Sequence, residues 1–321
     1  MKSNENVRRG AGDLIARYGT LGLMALVCLF LAISVPAFIQ PSNLFDVLRQ
    51  VAVVGIMACG LTYAVAAGGF DLSVGSVAAL STVFVAWLLV RNVPVLAALL
   101  VVLAVGAACG WANGLFCARL RIVPWVGTLA TMLAVVGPQF MLTGGGSQIP
   151  GGLGPKQPLM DFLGKGFLGP VPVAALVMLL VAAVAEIVLS KTALGQHMYA
   201  AGGDRVAAET CGIDSRRVLW LAYIFSGVLA AGSGLLMAAR MGLGQVRIGE
   251  PYLMDAIAAV FLGSTVIKEG RPHILGTIVG AIFMGIMFNG LTLLHTPYWG
   301  FYLFRGIMVF AAVALSGFRS R

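Results

Sequence analysis

Charge is what this chain has least of. Asp, Glu, Lys and Arg together make up 10% of its 321 residues, where soluble domains carry about 25%. Apolar residues make up 60%, in runs that recur along nearly the whole length. Many of these runs reach the 18 or so residues needed to cross a hydrocarbon core of about 30 Å. The alternating segments of about ten residues that a membrane β-barrel requires are missing. An all-α, polytopic transmembrane helical bundle is the architecture left. Other scarcities bear on function. The five cysteines, Cys28, Cys59, Cys109, Cys117 and Cys211, are odd in number and lack metal-type spacing. Most sit in apolar runs, which predicts buried free thiols. The three histidines, His197, His273 and His295, fall near the ends of apolar runs without ligand spacing, which predicts solvated rings and no metal site. No set of residues suggests a catalytic centre. No Gly-x-x-x-x-Gly-Lys-Ser/Thr phosphate loop occurs, so the chain does not hydrolyse ATP by that route.

What charge there is has a pattern. The net charge of +9 would suit a nucleic-acid partner if it formed a patch, but the basic residues stand at the ends of apolar runs, as the positive-inside rule produces. About ten spans are expected, at 19–39, 44–67, 72–90, 94–118, 125–143, 171–189, 218–240, 252–267, 274–294 and 299–317. Residues 1–18 then form a cytoplasmic N-terminal segment and 318–321 a cytoplasmic tail. The first apolar run lacks a cleavage pattern and reads as a retained helix. With the N-terminus inside, Lys2, Arg8, Arg9, Arg17, Arg119, Arg121, Lys191, Arg205, Arg216, Arg217, Lys268, Arg271, Arg319 and Arg321 all fall on the cytoplasmic side. These are 14 of the 21 Lys and Arg residues.

Residues 144–170 are rich in Gly and Pro and cannot form one regular helix. They read as a linker between halves, or as a lid or docking surface for an extracytoplasmic partner. A weak internal echo accompanies that division: Asp71 is followed by Asn113-Gly-Leu115, and Asp255 by Asn289-Gly-Leu291. The polar interruption at 191–214 carries a short helix with legible ends. Asp204 can cap its first turn, and Gly212 can take the left-handed conformation that stops it. Val206, Thr210 and Ile213 fall on one face. A short helix set outside an apolar bundle has little core to join and is shaped to dock into another protein's groove. At the turn Gly68-Gly69-Phe70-Asp71-Leu72-Ser73, two glycines end one span, while Asp71 and Ser73 open the next. Asp71 is read there as a helix cap or as a polar group lining a path.

Gly68-Gly-Phe-Asp-Leu-Ser-Val-Gly-Ser76, Thr128-Leu-Ala-Thr131, Leu142-Thr-Gly-Gly145, the 200–213 segment, Met254-Asp-Ala-Ile-Ala-Ala-Val-Phe-Leu-Gly263 and Asn289-Gly-Leu291 resemble the permease subunits of bacterial ABC importers for monosaccharides. These are the ribose, xylose, arabinose and galactose type, and the likeness runs from about residue 44 to 316. Permeases for autoinducer-2 and for nucleosides share much of the pattern. The turn Gly263-Ser-Thr-Val-Ile-Lys-Glu-Gly270 departs from relatives, which carry more glycines. The resemblance implies transport of a monosaccharide across the bacterial inner membrane by alternating access. It implies a separate cytoplasmic ATPase that binds ATP and Mg, a periplasmic sugar-binding protein, and a second permease, identical or paralogous. It makes the segment with Gly203, Asp204, Arg205, Glu209, Gly212 and Ile213 the element coupled to that ATPase.

Sugars need hydrogen-bond partners and often an aromatic face. Within the spans, Asn113, Gln139, Phe283, Phe288 and Asn289 are the candidates for a substrate path, with helix packing an equal role for the two asparagines. Gly106, Gly110 and Gly114, and likewise Gly276 and Gly280, have the four-residue spacing of close helix contacts. Arg305 in the last span requires a partner, and Asp255 and Glu186 are the carboxylates within reach. A rival reading, an ion-coupled secondary transporter, would need a relay of ionisable groups in the spans; Asp71, Glu186, Asp255 and Arg305 are few for that.

Overall fold

In a lipid core every backbone N–H and C=O must be satisfied within the protein, and helices do this locally. A computed structural model, which describes residues 22, 24–144, 157–266 and 270–319, has helix within each of the ten ranges expected from the sequence. The N-terminal segment 1–18, most of the Gly/Pro-rich stretch and part of the turn after residue 263 lie outside the described residues. The helices are α1 (Met24–Ser34), α2 (Pro41–Ala66), α3 (Val74–Val90), α4 (Val95–Gly114), α5 (Pro124–Ala134), α6 (Val136–Thr143), α7 (Pro158–Lys165), α8 (Val173–Lys191), α9 (Ala193–Gly203), α10 (Arg205–Thr210), α11 (Ser215–Met241), α12 (Glu250–Val266), α13 (Ile274–Leu293) and α14 (Tyr298–Arg319). Among the described residues, six stretches are long and apolar enough to cross a membrane: α2, α4 with its continuation to Arg119, α5 with α6, α8, α11 and α13.

Departures from regular helix have local causes. α5 and α6 are one span interrupted at Val135, where Pro138 has no N–H for the preceding turn and its ring crowds it. α4 ends in a π-helical turn, Leu115–Arg119, before Pro124 opens α5. After the undescribed residues 145–156, the stretch expected to be an irregular linker holds α7 and a hairpin of two short strands, β1 (Phe167–Leu168) and β2 (Val171–Pro172). Their turn passes through Gly169, at φ 60°. α7 is seated on α11, with Gly164 against the backbone of Ala239.

α2 and α11 run through the middle of the bundle, buried along most of their length. Small residues make this possible. A Cβ on Gly106 would collide with the Gly227 carbonyl, and one on Gly110 with the Tyr223 carbonyl, where α4 meets α11. Gly276 and Gly280 lie as tightly against Gly263 and Ala259 of α12, so the glycine spacing marks packing, as expected. Hydroxyls finish the contacts. The Thr62 and Thr277 hydroxyls pair at 2.8 Å, Ser233 Oγ donates to the Val53 carbonyl at 2.7 Å, and Tyr63 OH donates to the Ala185 carbonyl at 2.8 Å. Gly110→Leu is expected to prevent accumulation of folded protein in the membrane, because backbone rather than a movable side chain blocks the new atoms. Gly137→Leu, which meets open space, serves as the control; equal yields of detergent-stable protein would refute the packing role.

The internal echo does not extend to partners. Asp71 and Asn113 touch each other, whereas Asp255 turns to Arg305 and Asn289 to Asn43. His273 is buried, not solvated, with Nδ1 3.0 Å from the Arg271 carbonyl; His197 and His295 are exposed. The cysteines are free: Cys59 and Cys117 are buried, Cys28 and Cys109 half-buried, and Cys211 is exposed.

Candidate functional site

The polar interruption folds as its caps dictate. Asp204 accepts from the backbone N–H of Val206 at 2.9 Å and of Ala207 at 3.0 Å, so α10 starts at Arg205. Gly212 at φ 82° ends it, and Asp214 caps α11 by accepting from Arg217 N at 3.1 Å. Arg205 and Glu209 pair at 3.0 Å along the exposed side. Val206 is 75% exposed, an apolar side chain offered outward on a helix of six residues. Thr210 is exposed beside it and donates to the Val206 carbonyl. Ile213 is not on that face. The chain reverses at Gly212, and Ile213 packs half-buried against the core, so the expected three-residue stripe is Val206 and Thr210 alone. Gly203 faces open space.

Two contacts tie this surface to the bundle. Tyr199 OH of α9 donates to the Pro272 carbonyl at 2.8 Å, and burial pushes its phenol up to about 12, so it remains a donor. Gly202 meets the α2–α3 turn backbone to backbone, at Ala66 and Gly68. Beside α10 lies a cavity of about 710 Å³ whose walls include Arg121, Pro124, Arg205, Glu209 and Arg216.

Asp71 is neither helix cap nor exposed wall. Ser73 holds the N-cap position of α3, with no side-chain cap bond. Asp71 is fully buried. Its Oδ1 accepts from Ser73 N at 2.9 Å, Ser73 Oγ at 2.6 Å and Asn113 Nδ2 at 3.3 Å. Its Oδ2 accepts from Ser226 Oγ at 2.7 Å. One carboxylate thus joins the α2–α3 turn to α4 and α11. Gly68, at φ 77°, is the residue that permits the turn. Gly69 lies against the Tyr223 hydroxyl, and Thr128 Oγ1 accepts from Leu72 N at 3.1 Å.

The other polar candidates for a path are also engaged inside the bundle. Asn113 Nδ2 donates to Ser73 Oγ at 2.8 Å. Gln139 is fully buried, donates to the carbonyls of Ser76 at 3.1 Å and Val135 at 3.2 Å, and accepts from Arg247 N at 2.9 Å. Asn289 and Asn43 exchange side-chain hydrogen bonds at 2.7 and 3.0 Å. Phe283 is buried. Phe288 stacks on Phe301 and lies under the Arg305 guanidinium, 4.5 Å from the ring centre. Arg305 takes Asp255 as partner, not Glu186, with bonds of 2.8 and 3.2 Å. The sequence did not point to Ser226, Asn43 or Tyr302. Serine and asparagine within or beside an apolar run were the available signal, since each needs a partner there.

Over residues 43–313 the chain matches the family described as branched-chain amino acid transport system / permease component. It is 37% identical over 295 residues to the ribose import permease protein RbsC of Bacillus subtilis (strain 168), which covers 92% of this chain and 90% of the relative. Against the ribose import permease protein RbsC of Escherichia coli (strain K12) the identity is 33% over 300 residues, covering 94% and 93%. Against the fructose import permease protein FrcC of Rhizobium meliloti it is 31% over 274 residues, covering 84% and 76%. No solved structure matches the chain. The resemblance read from the motifs is borne out by these relatives.

Proposed function

The chain belongs to the family of branched-chain amino acid transport system permease components, and from that premise we propose that it is the membrane subunit of an ATP-driven importer for a monosaccharide. Ribose and fructose import permeases among its relatives favour a sugar over an amino acid. Its partners would be a cytoplasmic ATPase that binds ATP and Mg, a periplasmic sugar-binding protein and a second permease. Its place would be the inner membrane, with both termini cytoplasmic.

The observation that carries the coupling half of this reading is α10, a capped helix outside the apolar core that presents Val206 to whatever docks there. The chain itself supplies no covalent chemistry. Closure of the ATPase would displace α10, and α9 would carry that motion to the α2–α3 turn through Gly202. An ion-coupled relay fits less well: Asp255 is held by Arg305 and Asp71 by three neighbouring side chains.

Val206→Asp is expected to reduce sugar uptake and transporter-stimulated ATP hydrolysis roughly 10-fold or more, since burying a valine contributes about 1.5–3 kcal/mol. Gly137→Ala on α6, outside the coupling segment, should change neither, because its Cβ meets open space. Membrane insertion of both variants would be checked by fractionation. Unchanged hydrolysis and uptake for Val206→Asp would remove α10 from coupling. Uptake into liposomes without ATP would remove the importer reading altogether.

A further inference from the structure

On the outer surface of the bundle, α12 and α14 enclose a cavity of about 890 Å³, lined among others by Arg247, Glu250, Met254, Tyr302, Arg305 and Phe310. We propose that this cavity is the chain's half of the sugar-binding site. The proposal deepens the reading of the chain as a sugar permease and rests on it.

A surface that met lipid along the span would not carry Arg305. Ionisable side chains within spans face the protein interior or a water-filled cavity, and Arg305 stands about 10 Å into α14 by helical rise. The charges are mutually satisfied. Arg247 Nε lies 2.6 Å from Glu250 Oε1, and Arg305 is held by Asp255. A carboxylate or ammonium ligand would find its counter-charge already taken. A neutral, hydroxyl-rich ligand finds donors and an acceptor on the exposed Arg247–Glu250 pair and a further donor on the partly exposed edge of Arg305. The Tyr302 ring and Phe310, itself 76% exposed, supply apolar faces for the C–H side of a sugar ring. The volume lies within the usual range for small-molecule sites, about 300–1,000 Å³.

The site is also built. Arg247 sits in the left-handed region at φ 60°, a costly conformation for a residue with a side chain. Buried Gln139 accepts its N–H at 2.9 Å while its amide is anchored to Ser76 and Val135. Gln139 therefore fixes Arg247 at the cavity mouth without touching the ligand. The open side of the cavity is where the second permease would close it.

The test uses Met254→Cys and Tyr302→Cys, each in the chain assembled with its ATPase and binding protein, and a charged, membrane-impermeant thiol reagent. Leu180→Cys on α8, exposed on the bundle surface away from the cavity, is the lipid-facing control, and the unsubstituted chain sets the background. Both cavity cysteines should react roughly 100-fold faster than the control, the factor expected for excluding a charge from hydrocarbon. Whichever of ribose, arabinose or fructose the unsubstituted transporter takes up should slow their reaction. Reaction no faster than the control overturns the proposal, because the face then meets lipid. Fast reaction that a transported sugar leaves unchanged overturns it as well. If neither cysteine behaves as expected but sugar uptake by the unsubstituted transporter is intact, the site alone is refuted. If the unsubstituted transporter takes up no sugar, the permease reading fails, and the site with it.

Discussion

Asp71→Ala should leave little folded protein, and Asp71→Asn should leave much more. The alanine removes the acceptor for Ser73 N–H, Ser73 Oγ, Asn113 Nδ2 and Ser226 Oγ at a fully buried position. Each buried donor left without a partner costs about 1–3 kcal/mol, so the sum rivals a whole domain's stability of about 5–15 kcal/mol. In the asparagine variant the side-chain carbonyl can replace Oδ1. The new amide would face Ser226, whose hydroxyl can rotate from donor to acceptor. The measurement is the thermal midpoint and yield of the detergent-solubilised protein. A large loss for alanine with a small one for asparagine supports hydrogen bonding as the role of the group. Equal, large losses would place the role in the charge. An unshifted midpoint for alanine would refute the hub.

Arg305→Ala is expected to destabilise by about 3–5 kcal/mol, the usual cost of leaving one member of a buried pair alone. Asp255 would remain with 1% of its side chain exposed and no counter-charge. Phe288 would also lose the guanidinium above its ring, a contact of about 0.5–2 kcal/mol. Arg305→Lys should recover only part, because an ammonium cannot make the two-point contact. Asp255→Ala combined with Arg305→Ala should be less damaging than the two single losses added together. A double-mutant cycle in thermal midpoint checks this; strict additivity would mean that the pair does not interact.

The parts of the molecule legible in advance are those whose cause is local. Apolar runs specify helices because lipid leaves the backbone no alternative. Asp204 and Gly212 are readable because each satisfies or ends its own turn. Glycines at four-residue spacing announce close packing whichever helix they meet. What could not be read depends on residues far apart in the chain. Asp71 looked like a cap because Ser226, its partner on α11, is 155 residues away. Asn113 and Gln139 looked like path residues because a polar group in a span shows only that it needs a partner, not which one it has. Ile213 fell on the right helical face, but the helix had ended at Thr210. The mostly apolar cavity between α12 and α14 combines residues from the start of one helix with residues from the second to the fourth turn of another, and no short motif contains both.

The meeting of Gly68 with Gly202 bears on mechanical stiffness. Most contacts between protein elements are cushioned by side chains that can change rotamer as the elements shift. Here there is none: a Cβ on Gly202 would run into the Ala66 carbonyl, and one on Gly68 would lie 3.1 Å from the Gly202 Cα. Close-packed interiors have low compressibility, and a joint of bare backbone is the least yielding form of it. In the coupling proposed above, a small stroke at the surface helix would reach the α2–α3 turn with little loss, and the size of that stroke, more than the strength of any single bond, would set how far the two ends of the molecule move together.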